Sequence, residues 1–161
     1  MCFASAENML KISTDTGVIS MSGISAGAMD LSVSTGTVTV SNVEVAGDVK
    51  VGVSTGKTYL SDLRCKNLVS DGSTGDISLK SVIAEERFVI TRTTGDVAFS
   101  YSDAAEIFVQ TDTGDVTGTV CSDKIFLIET DTGEVDVPRS IMGGKCEITT
   151  DTGDIKLRVE E

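Results

Sequence analysis

The dipeptide Thr-Gly recurs at eight evenly spaced places, 16–17, 35–36, 55–56, 74–75, 94–95, 113–114, 132–133 and 152–153, with one further copy at 117–118 outside the spacing. Successive glycines of the eight lie 19, 20, 19, 20, 19, 19 and 20 residues apart. A period this regular over a whole chain marks a stacked-repeat architecture, in which one unit cannot bury its apolar face alone. Aligned on Gly17, Gly36, Gly56, Gly75, Gly95, Gly114, Gly133 and Gly153, the copies share apolar columns. Seven residues before each glycine stand Leu10, Met29, Val49, Leu68, Phe88, Ile107, Phe126 and Cys146. Five before, the column is apolar except for Ser70; two after, it is Ile or Val except for Thr58; four after, it is apolar except for Gly118. A looser column seven residues after holds Ile24, Val43, Leu63, Val82 and Cys121. Spacing of two within each run is the strand period.

Each repeat therefore reads as two short strands and a third, separated by Gly/Ser/Asp corners. The expected fold is all-β, a single-stranded parallel β-helix (β-solenoid) of about eight coils of 19–20 residues, stacked in chain order. It is roughly 40 Å long at an inter-strand step of about 4.8 Å. Right-handed winding is expected, because the strict hexapeptide spacing of left-handed helices is missing. Residues 1–161 form one domain, with 1–6 as a lead-in and 7–161 as repeats. The pattern begins almost at once, as it would in a piece cut from a longer protein.

The corner itself reads "TDTGD" at 111–115 and 150–154 and "TDTGE" at 130–134. Glycine there supplies a positive φ or a close backbone approach. Continuing the alternation from the apolar columns sends the residues three and one before glycine inward, so the threonines are expected to stack at the rim of the core. That phase disfavours an ice-binding Thr-x-Thr face, which needs the hydroxyls outward. The acids take the opposite sense. In the last three repeats Asp112, Asp115, Asp131, Glu134, Asp151 and Asp154 line one edge. Turn capping together with a deterrent to sideways aggregation explains them without a ligand. A Ca²⁺ ladder is the alternative, since hard cations take several oxygens at such turns; otherwise no cofactor is expected.

These steps, "TDTGDV" at 111–116 and "STGDI" at 73–77, with the ending "ITTDTGDIKLRVEE", resemble the bacterial putative-adhesin family of β-helical domains of unknown function. The resemblance implies a cell-envelope domain, often beside a membrane anchor and sometimes tied to envelope-stress regulation. It brings no catalytic residues to transfer.

One column departs from the wet-face rule. Six residues before glycine, where the side chain points outward, stand Lys11, Asp30, Lys50, Val69, Val89, Phe108, Leu127 and Glu147. Four consecutive copies place an apolar residue outside, and Ile125 extends the stripe. A contiguous exposed apolar patch points to a partner or dimer interface; the other possibility is cover by N-terminal residues around Phe3.

Composition narrows the classes. The net charge of −12 repels phosphate backbones and anionic lipid heads, so nucleic acid and membrane-surface binding are not expected. No apolar run approaches the roughly 20 residues that span a bilayer. Histidine is absent, and Cys2, Cys65, Cys121 and Cys146 make no metal-ligand spacing. Free, mostly buried thiols are expected. The acids recur at corners rather than forming a unique pair, and the short corners wall no cleft, so an enzyme is not expected. Tyr59 and Tyr101 are the only tyrosines and offer weak support for glycan binding. The expected function is a non-catalytic interaction module that binds protein partners or itself.

Overall fold

The computed structural model describes residues 9–140 and 142–160. The lead-in 1–6, with Cys2 and Phe3, lies outside the described residues. The chain forms one parallel sheet wound into a β-solenoid, and no helix occurs among the described residues. Each coil is identified below by its corner glycine, from coil 1 (Gly17) to coil 8 (Gly153). Like stacks on like: Gly17 pairs with Gly36 and Gly36 with Gly56, and the flanking columns follow in register.

The stacking order is not the chain order. Coils 1 to 6 follow in sequence, but strand Gly144–Thr152 of coil 8 pairs on one side with Glu106–Thr113 of coil 6. Its other side pairs with Lys124–Thr132 of coil 7. Likewise Ile155–Val159 lies between Val116–Val120 and Val135–Asp136. The expectation of chain-order stacking is corrected here: coil 8 is inserted between coils 6 and 7, and coil 7 is the terminal coil. Burial agrees. The column seven before glycine is buried throughout except Leu10 of coil 1 and Phe126 of coil 7, the two ends of the stack.

The insertion has local causes. Gly143 and Gly144 enter the narrow gap: a Cβ would fall 1.8 Å from Asp123 O at Gly143 and 1.8 Å from Ala105 O at Gly144. Pro138, the only proline, stands just after the coil 7 strands, where no further ladder donor is needed. At the other crossing, the Lys124 side chain is 2% exposed, with Nζ 2.7 Å from Asp103 Oδ1. Lys124 also donates to Ser122 Oγ, which in turn donates to Asp103 Oδ2 at 2.6 Å. This buried cluster ties coil 5 to the strand that opens coil 7.

Inside, the apolar columns form a continuous core of Val, Ile, Leu and Phe. Each fully buried aliphatic side chain contributes about 1.5–3 kcal/mol relative to exposure. Phe88 and Phe99 stack across it at 6.1 Å. The departures from the columns are coupled. Arg92 is 3% exposed and its guanidinium fills the space left by Gly72, where a Cβ would lie 2.1 Å from Nη1. Arg92 Nη2 donates to Ser70 Oγ at 3.0 Å, while Nε and Nη1 find no partner among the described residues. Burial lowers the Arg92 pKa. Cys65 and Cys146 are free and buried, and burial pushes both thiols up to about 12. Cys121 is free and half-buried.

A second corner escaped the repeat reading. Six residues after glycine, Gly23, Asn42, Asp62, Ser81 and Tyr101 all take φ between +49° and +65°. Gly, Asn and Asp adopt this left-handed conformation readily; Ser81 and Tyr101 hold it because stacking continues the corner from coil 1 through coil 5.

Candidate interaction surfaces

The Thr-Gly corner resolves residue by residue. Three before glycine the side chain is inward, as expected, and its hydroxyl caps the glycine carbonyl of the preceding coil. Thr111 Oγ1 donates to Gly95 O at 3.4 Å, Thr150 Oγ1 to Gly114 O at 3.3 Å, and Thr130 Oγ1 to Gly153 O at 3.2 Å. The threonine just before glycine was expected inward too, and this is corrected: all eight are exposed, as are the eight residues before them. Two successive outward residues are what a chain shows when it turns rather than continuing a pleat. The Thr-x-Thr pair is thus split, one hydroxyl in and one out, and no two-rank Thr face forms.

The acids after glycine also have partners. Asp96 N donates to Asp76 Oδ1 at 2.9 Å, Asp115 N to Asp96 Oδ1 at 2.9 Å, Asp154 N to Asp115 Oδ1 at 2.8 Å, and Glu134 N to Asp154 Oδ1 at 2.9 Å. Each carboxylate serves the backbone of the coil stacked on it. Accepting the Glu134 N–H holds the Asp154 carboxyl below its ordinary pKa, aided by Lys156. Glu134 belongs to the terminal coil and caps no backbone N–H among the described residues, so the short Asp reach is not required there. Asp112, Asp151 and Asp131 follow the stacking order on the outward face and are exposed. Among the described residues no group of three or more acids or thiols is arranged to hold a metal ion.

The apolar stripe is shorter than its sequence suggests. Val69 pairs with Val89 and Val89 with Phe108, and all three are half-buried. The next neighbour of Phe108 is Glu147, and only beyond it comes Leu127. Lys145, paired with Ile125, ion-pairs Glu147 at 2.8 Å and lies 5.3 Å from the Phe108 ring centroid. The expected single stripe is therefore corrected to two patches divided by a charged row. One holds Val69, Val89 and Phe108; the other holds Ile125 and Leu127 on the terminal coil.

Exposed large apolar residues gather at the two ends of the stack. Coil 7 and the segment leaving it carry Ile125 (39%), Leu127 (49%), Val135 (47%) and Met142; coil 1 carries Met9 and Val18 (68%). Val135 occupies a column that is buried in every other coil. It is exposed because nothing among the described residues stacks on coil 7.

The sequence matches the family described as Toastrack, DUF4097, over residues 9–161. That span covers nearly the whole chain. The chain belongs to the Toastrack family. No curated protein and no solved structure matches it. Toastrack membership fits the β-solenoid and carries no activity with it.

Two further features of this Toastrack domain lie along its sides. A groove of about 560 Å³ follows the second corner across five coils, lined by Asn42, Glu44, Asp62, Arg64, Ser81 and Tyr101 among others. The Tyr101 hydroxyl is already committed, donating to Glu160 Oε2 at 2.9 Å. Tyr59 is exposed on another part of the coil and does not line the groove. A second cavity, about 540 Å³, lies beside the Lys124–Asp103–Ser122 cluster and Cys121. No helix among the described residues is long and apolar enough to cross a membrane.

Proposed function

We propose that this Toastrack domain is a non-catalytic interaction module that associates through the ends of its solenoid, with itself or with a protein partner. The observation that carries this reading is the placement of exposed apolar side chains. Among the described residues, five of the eight large ones, Met9, Val18, Ile125, Leu127 and Val135, belong to the terminal coils. Monomeric proteins seldom leave contiguous apolar area at an unpaired strand edge without a use for it. The corner motif, by contrast, is largely consumed by the fold: the Thr three before glycine, the glycine and the acid after it each serve a neighbouring coil. The resemblance to putative adhesins adds a setting, the bacterial cell envelope, where a rigid rod of this kind would hold partners together.

The test is the double substitution Leu127→Lys/Val135→Lys. Both side chains are about half exposed, so the fold, followed by circular dichroism and thermal melting, is expected to survive. Sedimentation velocity is expected to show a concentration-dependent assembly of the wild type that the variant loses. A wild type that assembles and a variant that assembles equally well would overturn the reading.

A further inference from the structure

We infer that the end contact is polar: coil 7 of one copy stacks on coil 1 of the next in the same direction, so that the assembly grows head to tail. This rests on the reading of the ends as working surfaces and specifies what meets what.

The hydrogen-bond rows along the stack have a direction. Each corner glycine donates its N–H to the threonine carbonyl of the following coil: Gly75 to Thr94, Gly95 to Thr113, Gly114 to Thr152 and Gly153 to Thr132, each at 2.9 Å. Two residues on, Ile77 donates to Asp96 O, Val97 to Asp115 O, Val116 to Asp154 O and Ile155 to Glu134 O, at 2.8–3.0 Å. Running the other way, from coil 5 onward the N–H after glycine enters the carboxylate of the coil beneath. At coil 7 the rows end with the N–H groups of Gly133 and Val135 and the carboxylate of Glu134, whose side chain is 81% exposed with only Lys156 near, at 3.6 Å. Coil 1 offers the complementary set in the same rows: the carbonyls of Thr16 and Val18, and the N–H of Val18.

The same stacking brings matching columns together, Phe126 over Leu10, Ile128 over Ile12 and Val137 over Met21, all half-buried in the single chain. It also uses the space at Gly17. In every later coil a Cβ on the corner glycine would fall 1.6–2.0 Å from the glycine carbonyl beneath, whereas at Gly17 the nearest atom among the described residues is Thr14 Oγ1 at 3.9 Å. That gap is the place for Gly133 O of another copy. A two-fold contact between two coil 7 ends lacks this fit. It sets donor against donor and brings Glu129, Asp131, Glu134 and Asp136 near their own copies, where like charges repel. Heterologous contacts that do not close generate filaments.

The test uses two end-blocked proteins and their mixture. Leu127→Lys/Val135→Lys blocks coil 7. Val18→Glu blocks coil 1 by setting a carboxylate against Glu134 of the next copy; Gly17→Ala is an independent steric block at the same end. Analytical ultracentrifugation of the wild type is expected to show species larger than dimers, growing with concentration. Each blocked protein alone is expected to be monomeric, and an equimolar mixture of the two to form a 1:1 dimer and nothing larger. If coil-1-blocked protein dimerises alone, or if the mixture stays monomeric while the wild type assembles, the head-to-tail contact is wrong although end association stands. A wild type that is monomeric throughout removes self-association and this inference together, leaving the reading of the ends to a protein partner.

Discussion

Gly75→Ala is expected to destabilise the protein by more than about 4 kcal/mol or to prevent folding, a loss reserved for severe, specific disruptions. Gly17→Ala is expected to cost only about 1–3 kcal/mol, the usual strain of a side chain held in a disfavoured backbone region. The two glycines have similar backbone conformations, φ +133° and +143°. They differ in what lies beneath. A Cβ at Gly75 would sit 1.7 Å from Gly56 O and 2.6 Å from Gly56 C, a backbone clash that no rotamer relieves. At Gly17 no backbone atom among the described residues occupies that space. Urea unfolding midpoints of the two variants, measured where the protein is monomeric, check the difference. Equal losses would mean that the corner needs glycine for its φ alone and that close stacking plays no part.

Lys124→Met is the second large effect, expected at about 3–5 kcal/mol, the cost of removing one partner from a buried ion pair. Asp103 would keep its bonds from Ser122 Oγ and from Ala104 N, at 2.6 and 2.9 Å, but lose the one cation paired with it among the described residues. Asp103→Asn/Lys124→Met is expected to regain part of the loss, because a neutral amide accepts the Ala104 N–H without an unpaired charge. Thermal melts of the two variants check this. A single variant as stable as wild type would show that the cluster does not hold the start of coil 7, and the inserted coil would need another anchor.

Much of the fold is legible in the sequence because eight copies average out the exceptions. Ser70, Gly72 and Arg92 look like noise in single columns, yet they form one compensating set, a polar hole and the side chain that fills it. The second corner was less visible, since Asn42 and Asp62 signal a left-handed residue but Ser81 and Tyr101 do not. The inward phase of the last corner threonine was misread for a countable reason. Buried columns stand three before and two after each glycine, an odd separation, so the alternation must break inside the corner. The break falls on the two residues before glycine.

Coil order was hidden for a deeper reason. Coils 6, 7 and 8 carry the same Thr-Asp-Thr-Gly corner at the same spacing, so their columns match in any order. The discriminating residues are few: the Gly143–Gly144 pair, Pro138, and a lysine at 124 that must be buried. The consequences reach the candidate surface directly. Glu147 was already in the outward column, but only its place between Phe108 and Leu127 divides the stripe and moves the exposed apolar residues to an end. The acids read partly correctly as caps; the direction of the ladder, and hence the free carboxylate of Glu134, needed the stacking order.

Everything at the open end depends on coil 8 lying between coils 6 and 7, and pairwise cysteine cross-linking tests it most directly. Thr113, Thr152 and Thr132 are exposed and stack in that order. Adjacent strands lie about 4.8 Å apart, within disulfide reach, whereas strands two steps apart lie near 10 Å, beyond the roughly 7 Å limit between Cα atoms. Under mild oxidation, with linkages mapped by peptide mass, Thr113→Cys/Thr152→Cys and Thr132→Cys/Thr152→Cys are expected to cross-link within one chain, and Thr113→Cys/Thr132→Cys is not. Efficient linkage of 113 to 132 with none from 113 to 152 would restore chain-order stacking and contradict this account.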